Sequence, residues 1–306
     1  MTEVVPVTGS DAPALALPHR SRLAAYVALT KPRIIELLLV TTVPAMIVAE
    51  KGMPATWLVL ATLVGGTLAA AGANATNMVI DRDIDKLMRR TSKRPLVTGE
   101  ITPRNALVFA IALEVGATVW LALVVNPLSA ALALAATLFY VFVYTIWLKR
   151  TSTQNIVIGG AAGAVPALVG WAAVTNELAV APFVMFAIIF VWTPPHFWAL
   201  AIRYRADYAA ADVPMLPVVA TFDDTARRIV AYTVVLWAVS VAFWPLGDMG
   251  AIYVAAAMIL GAMFTGKAVQ LARSRRPELA MPLFKFSITY ITLLFGAMAA
   301  DQLLLH

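Results

Sequence analysis

Apolar stretches of membrane-crossing length recur along almost the whole chain, and this limits the folds open to it more than any other feature. A bilayer-spanning helix needs about 20 mostly apolar residues, and runs of that kind stand near 34–49, 56–80, 104–125, 128–147, 155–174, 180–202, 228–246, 250–271 and 283–305. The links between them are too short for a separate soluble domain. Lipid offers no partners to backbone N–H and C=O groups, so each run must satisfy its own hydrogen bonds as a helix. The expected fold is an all-α integral membrane protein, a bundle of about nine transmembrane helices, with a polar tail over residues 1–30 and a single transmembrane domain over 31–306. The composition agrees: 61% of the 306 residues are hydrophobic and 13% charged, roughly half the charged fraction of a soluble domain.

Charge sets the expected orientation. With the N-terminus in the cytoplasm, segments 1–33, 81–103, 148–154, 203–227 and 272–282 face inward; counted with the adjoining helix-end residues Arg104, Arg228, Lys267 and Lys285, the inner side holds 22 of the 23 Lys and Arg residues, and only Lys51 falls outside. That asymmetry is what the positive-inside rule requires. The net charge of +6 is thus mainly a topology signal, and no nucleic-acid partner is expected. Residues 1–30 carry neither the apolar core of a signal peptide nor the Arg-rich, acid-poor character of a transit peptide. A multi-pass protein of a bacterial plasma membrane is the expectation. With no cysteine in the chain, a bound metal must use oxygen or nitrogen ligands.

Two polar loops carry the chemistry. The second apolar run ends in Asn74-Ala75-Thr76-Asn77-Met78-Val79-Ile80-Asp81-Arg82-Asp83-Ile84-Asp85, where Asn77, Asp81 and Asp85 share one helix face at four-residue steps. At a rise of about 1.5 Å per residue, Asp81 and Asp85 lie roughly 6 Å apart along the axis, a gap that suits two Mg²⁺ ions bridged by a polyanion such as a diphosphate. The plainer reading is a solvated helix end in which Asp81, Asp83 and Asp85 pair with Arg82, Lys86 and Arg89. Asn74 and Asn77 weigh toward a ligand, because amides inside an apolar span are costly unless bonded. Arg89, Arg90, Lys93 and Arg94 follow at once, with hydroxyls between them, a set suited to phosphate oxygens or to lipid headgroups.

The second loop follows the sixth run and carries His196, Arg203, Arg205, Asp207 and Asp212. Asp207 and Asp212 are five apart and diverge by about 140° on a straight helix, which makes Asp207 the better ligand. Both loops leave the same side of the membrane, so two acidic half-sites are expected to face a shared cavity. Glu114, near the middle of the third run, is expensive in lipid and is either functional or a paired structural group.

These residues resemble the UbiA superfamily of intramembrane aromatic prenyltransferases over essentially the whole chain. Within it, Leu29-Thr30-Lys31-Pro32-Arg33, the Asn77/Asp81/Asp85 pattern, Met88-Arg89-Arg90-Thr91 through Arg94-Pro95-Leu96, and Thr193-Pro194-Pro195-His196-Phe197-Trp198-Ala199-Leu200 are similar to the protohaem IX farnesyltransferases. The resemblance implies transfer of farnesyl from farnesyl diphosphate to a vinyl group of haem b, a substrate, with water added to give haem O. It implies that Asn77, Asp81 and Asp85 hold Mg²⁺ on the diphosphate, with Asp207 serving the second ion. The spacing at Asp212 departs from the four-residue step usual in the second acidic motif.

Arg33, Arg90, Arg94 and Lys149 are then candidates for diphosphate oxygens, and Arg203 with Arg205 for the haem propionates. Lys149 and Arg150 read equally well as topology anchors. His196 is a candidate to ligate haem iron or to hydrogen-bond substrate. Haem A synthase or terminal-oxidase assembly would be a natural partner, alongside membrane lipid. Prenylation of a quinone precursor such as 4-hydroxybenzoate uses the same metal chemistry. A transporter would instead spread ionisable groups through mid-membrane.

Overall fold

The computed structural model describes residues 20–305, apart from the side chains of Arg33, Ile34, Leu37 and Leu38. Most of the expected polar tail, residues 1–19, lies outside the described residues, as does the side chain of Arg33, a predicted diphosphate contact. The described chain is helical throughout, with no strand among the described residues. In order it comprises α1 (Arg22–Thr30), α2 (Pro32–Glu50), α3 (Thr56–Ile80), α4 (Pro103–Val125), α5 (Pro127–Thr151), α6 (Asn155–Thr175), α7 (Val180–Arg203), α8 (Arg205–Ala210), α9 (Phe222–Leu246), α10 (Ala251–Ser274) and α11 (Pro277–Leu305).

Among the described residues, eight helices, α3 to α7 and α9 to α11, are long and apolar enough to cross a membrane. Each carries one of the expected spans. The first expected span, 34–49, falls within the 19-residue α2, whose described apolar part is Leu39–Glu50. Two spans begin earlier than hydropathy alone predicts. α9 starts at Phe222 rather than 228 because the Thr221 hydroxyl accepts from the Asp224 N–H at 3.1 Å and Asp223 and Asp224 occupy the first turn, where carboxylates complement the helix dipole. α11 starts at Pro277 through one tight turn, Pro277–Leu279.

Large apolar side chains sit on both the outside and the inside, as expected where lipid is the solvent. Leu123 is 81% exposed, Trp147 61% and Ile259 59%, whereas Trp198, Tyr253, Tyr290, Phe243 and Phe264 are fully buried between helices. Packing between spans in lipid depends on close fit rather than on water exclusion. A Cβ at Gly72 on α3 would stand 3.0 Å from the Ala110 carbonyl oxygen of α4. Gly72→Leu is therefore expected to cost about 1–3 kcal/mol by overpacking, read as a lower thermal midpoint in detergent; an unchanged midpoint would mean that α3 and α4 do not pack this closely.

Polar ties fix the other helices. Trp192 Nε1 donates to the Ser287 carbonyl at 2.7 Å and joins α7 to α11, Trp120 Nε1 donates to the Ala61 carbonyl at 2.9 Å and joins α4 to α3, and Asp301 accepts from the Tyr253 N–H at 2.8 Å at the start of α10. Residues Phe139–Leu148 of α5 are wound as a π-helix. This wide turn, a form frequent at functional sites, puts Tyr140 and Tyr144 on one face with rings stacked at 5.4 Å.

Candidate active site

The polar groups gather where α3 ends. α3 stops at Ile80, Asp81 caps it, and a single turn, Arg82–Asp85, follows. The backbone keeps helical spacing through the break, with Asp81 N–H donating to Asn77 O at 2.9 Å and Asp85 N–H to Asp81 O at 2.8 Å. The four-residue pattern thus presents Asn77, Asp81 and Asp85 together although the helix itself is interrupted. Asn77 is 2%, and Asp81 and Asp85 are 0% exposed, which excludes the solvated helix end as an account of them.

Buried carboxylates need cations, and four converge here. Lys149 at the end of α5 forms an ion pair with Asp81 Oδ2, and Arg94 Nη1 pairs with Asp85 Oδ2 at 2.6 Å. Arg150 Nη2 approaches Asp81 Oδ1 at 3.8 Å, and Lys31, between α1 and α2, donates to Asn77 Oδ1 at 2.7 Å. Asn77 Nδ2 donates in turn to Asp81 Oδ2 at 2.8 Å and to Thr145 Oγ1 at 3.1 Å. Asn74 donates to the Thr30 carbonyl at 3.0 Å and holds the α1–α2 link against α3. Lys149, which reads from sequence as either a topology anchor or a site cation, is paired with the buried Asp81.

Arg150 mainly serves Asp83, with two hydrogen bonds of 2.7 Å. Those bonds hold the Asp83 carboxyl down to about 2. A depressed pKa gives stability that is present above the ordinary carboxylate range and lost as pH falls through about 2, so this pair stays intact at neutral pH.

The second half-site is tied to the first through Arg90. The Arg90 N–H donates to Asp207 Oδ2 at 3.3 Å, its guanidinium lies 5.6 Å from the Tyr204 ring centroid, and Nη2 is 3.5 Å from the Tyr208 hydroxyl. Arg89, Arg90, Arg203, Tyr204 and Asp207 line an open groove of about 570 Å³. Arg205 instead lines a separate hollow with Asp223 and Arg275, away from Arg203. Asp212 follows the end of α8, exposed and with a left-handed backbone (φ 51°), and does not line the groove that Asp207 lines.

His196 is buried between Trp192 and Phe284, its ring stacked on theirs at 4.2 and 4.5 Å, and Nδ1 lies 2.6 Å from Ser287 Oγ. Contact with a ligand would go through Nε2. Glu114 accepts from Thr137 Oγ1 at 3.2 Å on α5, which supports the paired structural reading.

Sequence reasoning missed Lys31, Tyr140, Tyr144 and Tyr208. Lys31 was absorbed into the inward charge count although it stands in the Leu29–Arg33 string. The tyrosines count as apolar in a span, yet Tyr140 lies within electrostatic reach of Asp81, Asp85 and Arg94, and Tyr144 within reach of Asp81, Arg90 and Tyr208.

The donor set fits divalent cations. Asp81 Oδ1 and Asp85 Oδ1 are buried without a hydrogen-bond partner, oxygens of the hard type that Mg²⁺ prefers. Among the described residues no three carboxylate or imidazole groups form a closed metal cage, so an ion held here must take further oxygens from a ligand or water. Anionic oxygens with open coordination, beside Lys31, Arg94 and Lys149, have the chemistry to receive a metal-bound polyanion.

The chain matches the model of the UbiA prenyltransferase family over residues 38–293. It is 54% identical over 286 residues to a protoheme IX farnesyltransferase of Parafrankia sp. strain EAN1pec, covering 92% of this chain and 91% of that protein. A protein of the same name from Saccharopolyspora erythraea is 53% identical over 305 residues, covering 99% and 97%. In fold it is similar to a UbiA homolog from Archaeoglobus fulgidus bound to GPP and Mg²⁺, with a TM-score of 0.65 at 17% identity over 90% of this chain and 99% of that one. A digeranylgeranylglyceryl phosphate synthase gives a TM-score of 0.76, again at 17% identity, over 92% and 98%. Sequence match, fold and the paired carboxylates at the end of α3 agree: this membrane protein belongs to the UbiA prenyltransferase family.

Proposed function

We propose that this protein transfers the farnesyl group of farnesyl diphosphate to a vinyl group of protohaem IX, giving haem O, within one transmembrane domain over residues 31–306. The observation that carries the reading is the pair of buried, partly unpartnered carboxylates, Asp81 and Asp85, inside a ring of cations. Relatives more than half identical along nearly the whole chain, each named protoheme IX farnesyltransferase, support the choice of acceptor. The acidic loops lie on the cytoplasmic side of a bacterial cell membrane, as the charge asymmetry indicates, and haem O would pass from there to haem A synthase or a terminal oxidase.

The C1–O bond of the diphosphate breaks and its electron pair leaves with the diphosphate. The outer vinyl carbon of haem bonds to farnesyl C1, and the cation left beside the porphyrin ring takes water and loses a proton. Asp81 and Asp85, with Asp207 for a second ion, would hold Mg²⁺, which when bound would supply positive charge against the charge that develops on the leaving diphosphate. Lys149, Arg94 and Lys31 donate to diphosphate oxygens. Arg90 bridges the two half-sites, and Arg203 with Arg89 offers guanidinium groups to the haem propionates in the groove beside Asp207. The stacked, buried rings of Tyr140 and Tyr144 would help to exclude water from the allylic cation.

The test is an acceptor comparison. Lipid-reconstituted protein with farnesyl diphosphate and Mg²⁺ is given haem b or 4-hydroxybenzoate, and products are identified by mass spectrometry. A farnesylated haem alone is expected; turnover of 4-hydroxybenzoate alone would keep the family chemistry and refute the haem assignment. Glu114→Gln keeps the contact with Thr137 and is expected to leave the transfer rate unchanged. A large loss would place Glu114 in the reaction.

A further inference from the structure

Asn155, at the first position of α6, is fully buried, and neither its Oδ1 nor its Nδ2 has a hydrogen-bond partner. Burying an amide with no partner costs its full desolvation penalty, so such a residue calls for a reason. Only two amide side chains among the described residues have both polar atoms in this state. The other, Gln302, lies near the C-terminal end of α11, across the membrane from the paired carboxylates. Asp81 Oδ1 and Asp85 Oδ1 share the condition of Asn155: buried and unpartnered.

Its surroundings place Asn155 beside that site. Lys149, the partner of Asp81, lies six residues earlier, and the intervening turn closes with the Asn155 N–H donating to the Ser152 carbonyl at 3.2 Å. One turn along the same face of α6, a Cβ at Gly159 would stand 2.3 Å from the Tyr144 ring, so that ring rests on the helix directly beyond Asn155. The next residue, Ile156, belongs to one buried cluster with Ile84 and Met88, which flank the Asp85 turn, and with Tyr208 of the second half-site. Asn155 therefore stands between the π-wound stretch of α5 and the two acidic segments.

We infer that Asn155 is a further substrate-contacting residue of the prenyl-transfer site, its amide completing its hydrogen bonds on the metal-bound diphosphate headgroup. Nδ2 would donate to a diphosphate oxygen, and Oδ1 would accept from water brought in with the headgroup. The inference rests on the prenyl-transfer reading above but not on the identity of the acceptor.

The physics gives a test with opposite signs. If the amide serves no ligand, an apolar residue of similar shape removes an uncompensated polar group and leaves activity alone. If it serves the diphosphate, Asn155→Leu keeps or raises the thermal midpoint while kcat/KM for farnesyl diphosphate falls at least ~10-fold and KM for the acceptor stays constant. Activity equal to the parent overturns the inference. So does a loss of activity accompanied by an equal rise in KM for the acceptor, which marks a packing role.

A second measurement needs no turnover. Inorganic diphosphate with Mg²⁺ is expected to raise the thermal midpoint of the parent protein, and Asn155→Ala is expected to lose most of that rise even if its own starting midpoint is lower. A full rise in Asn155→Ala, together with none in Asp81→Asn, refutes the role of Asn155 and spares the site. A full rise in Asp81→Asn refutes the site itself.

Discussion

Asp81→Asn is expected to lower farnesyl transfer by at least ~10³-fold while leaving a helical, membrane-inserted protein. The side chain is the hub of the site: Oδ2 receives Asn77 and Lys149, and Oδ1 faces Arg150 with no hydrogen bond. The substitution keeps its shape and removes its charge. Lys31, Lys149 and Arg150 then face one another with less compensation, and the cation that the free oxygen would hold has lost its ligand. Released diphosphate, measured alongside the prenylated product, should fall in step. Retention of activity within ~10-fold would place the metal elsewhere, because removal of even one preorganised electrostatic group costs about 10²–10³-fold.

Lys149→Met should have the next largest effect. Lys149 and Asp81 have side-chain exposures of 12% and 0%, and removing one partner of such a buried pair strands the other, at about 3–5 kcal/mol. Stability should fall accordingly, and KM for farnesyl diphosphate should rise because an N–H donor to its oxygens is gone. The double variant Asp81→Asn/Lys149→Met should be more stable than Lys149→Met alone, since no carboxylate is left uncompensated. Additive losses in stability would show that the two side chains act independently.

Much of this was legible in the sequence, for reasons that differ from residue to residue. Spans of about 20 apolar residues leave few choices to a chain in lipid, and the eight later expected runs are all found as helices of crossing length. The step from Asn77 to Asp81 to Asp85 was legible because helical hydrogen bonding continues through the break after Ile80.

What stayed hidden depends on contacts between segments distant in sequence. Lys31 reaches Asn77 across 46 residues, and Lys149 reaches Asp81 across 68. A basic residue at a helix end reads equally well as an anchor until its partner is seen. The π-winding of Phe139–Leu148, which sets the faces of Tyr140 and Tyr144, follows from no local pattern, because an apolar run looks the same whichever way it is wound. Asn155 opens an apolar span and carries no motif, and its significance lies in its lack of partners.

The most direct test of the account is the fate of oxygen in the product. Reconstituted protein with haem b, farnesyl diphosphate and Mg²⁺ is run in ¹⁸O-water, in parallel with Asp81→Asn. The account predicts a haem heavier by one farnesyl group and one hydroxyl, the hydroxyl oxygen carrying the label, formed with one diphosphate released per product and absent from the variant. A haem product formed as readily by Asp81→Asn, or diphosphate released with no prenylated haem, would contradict it.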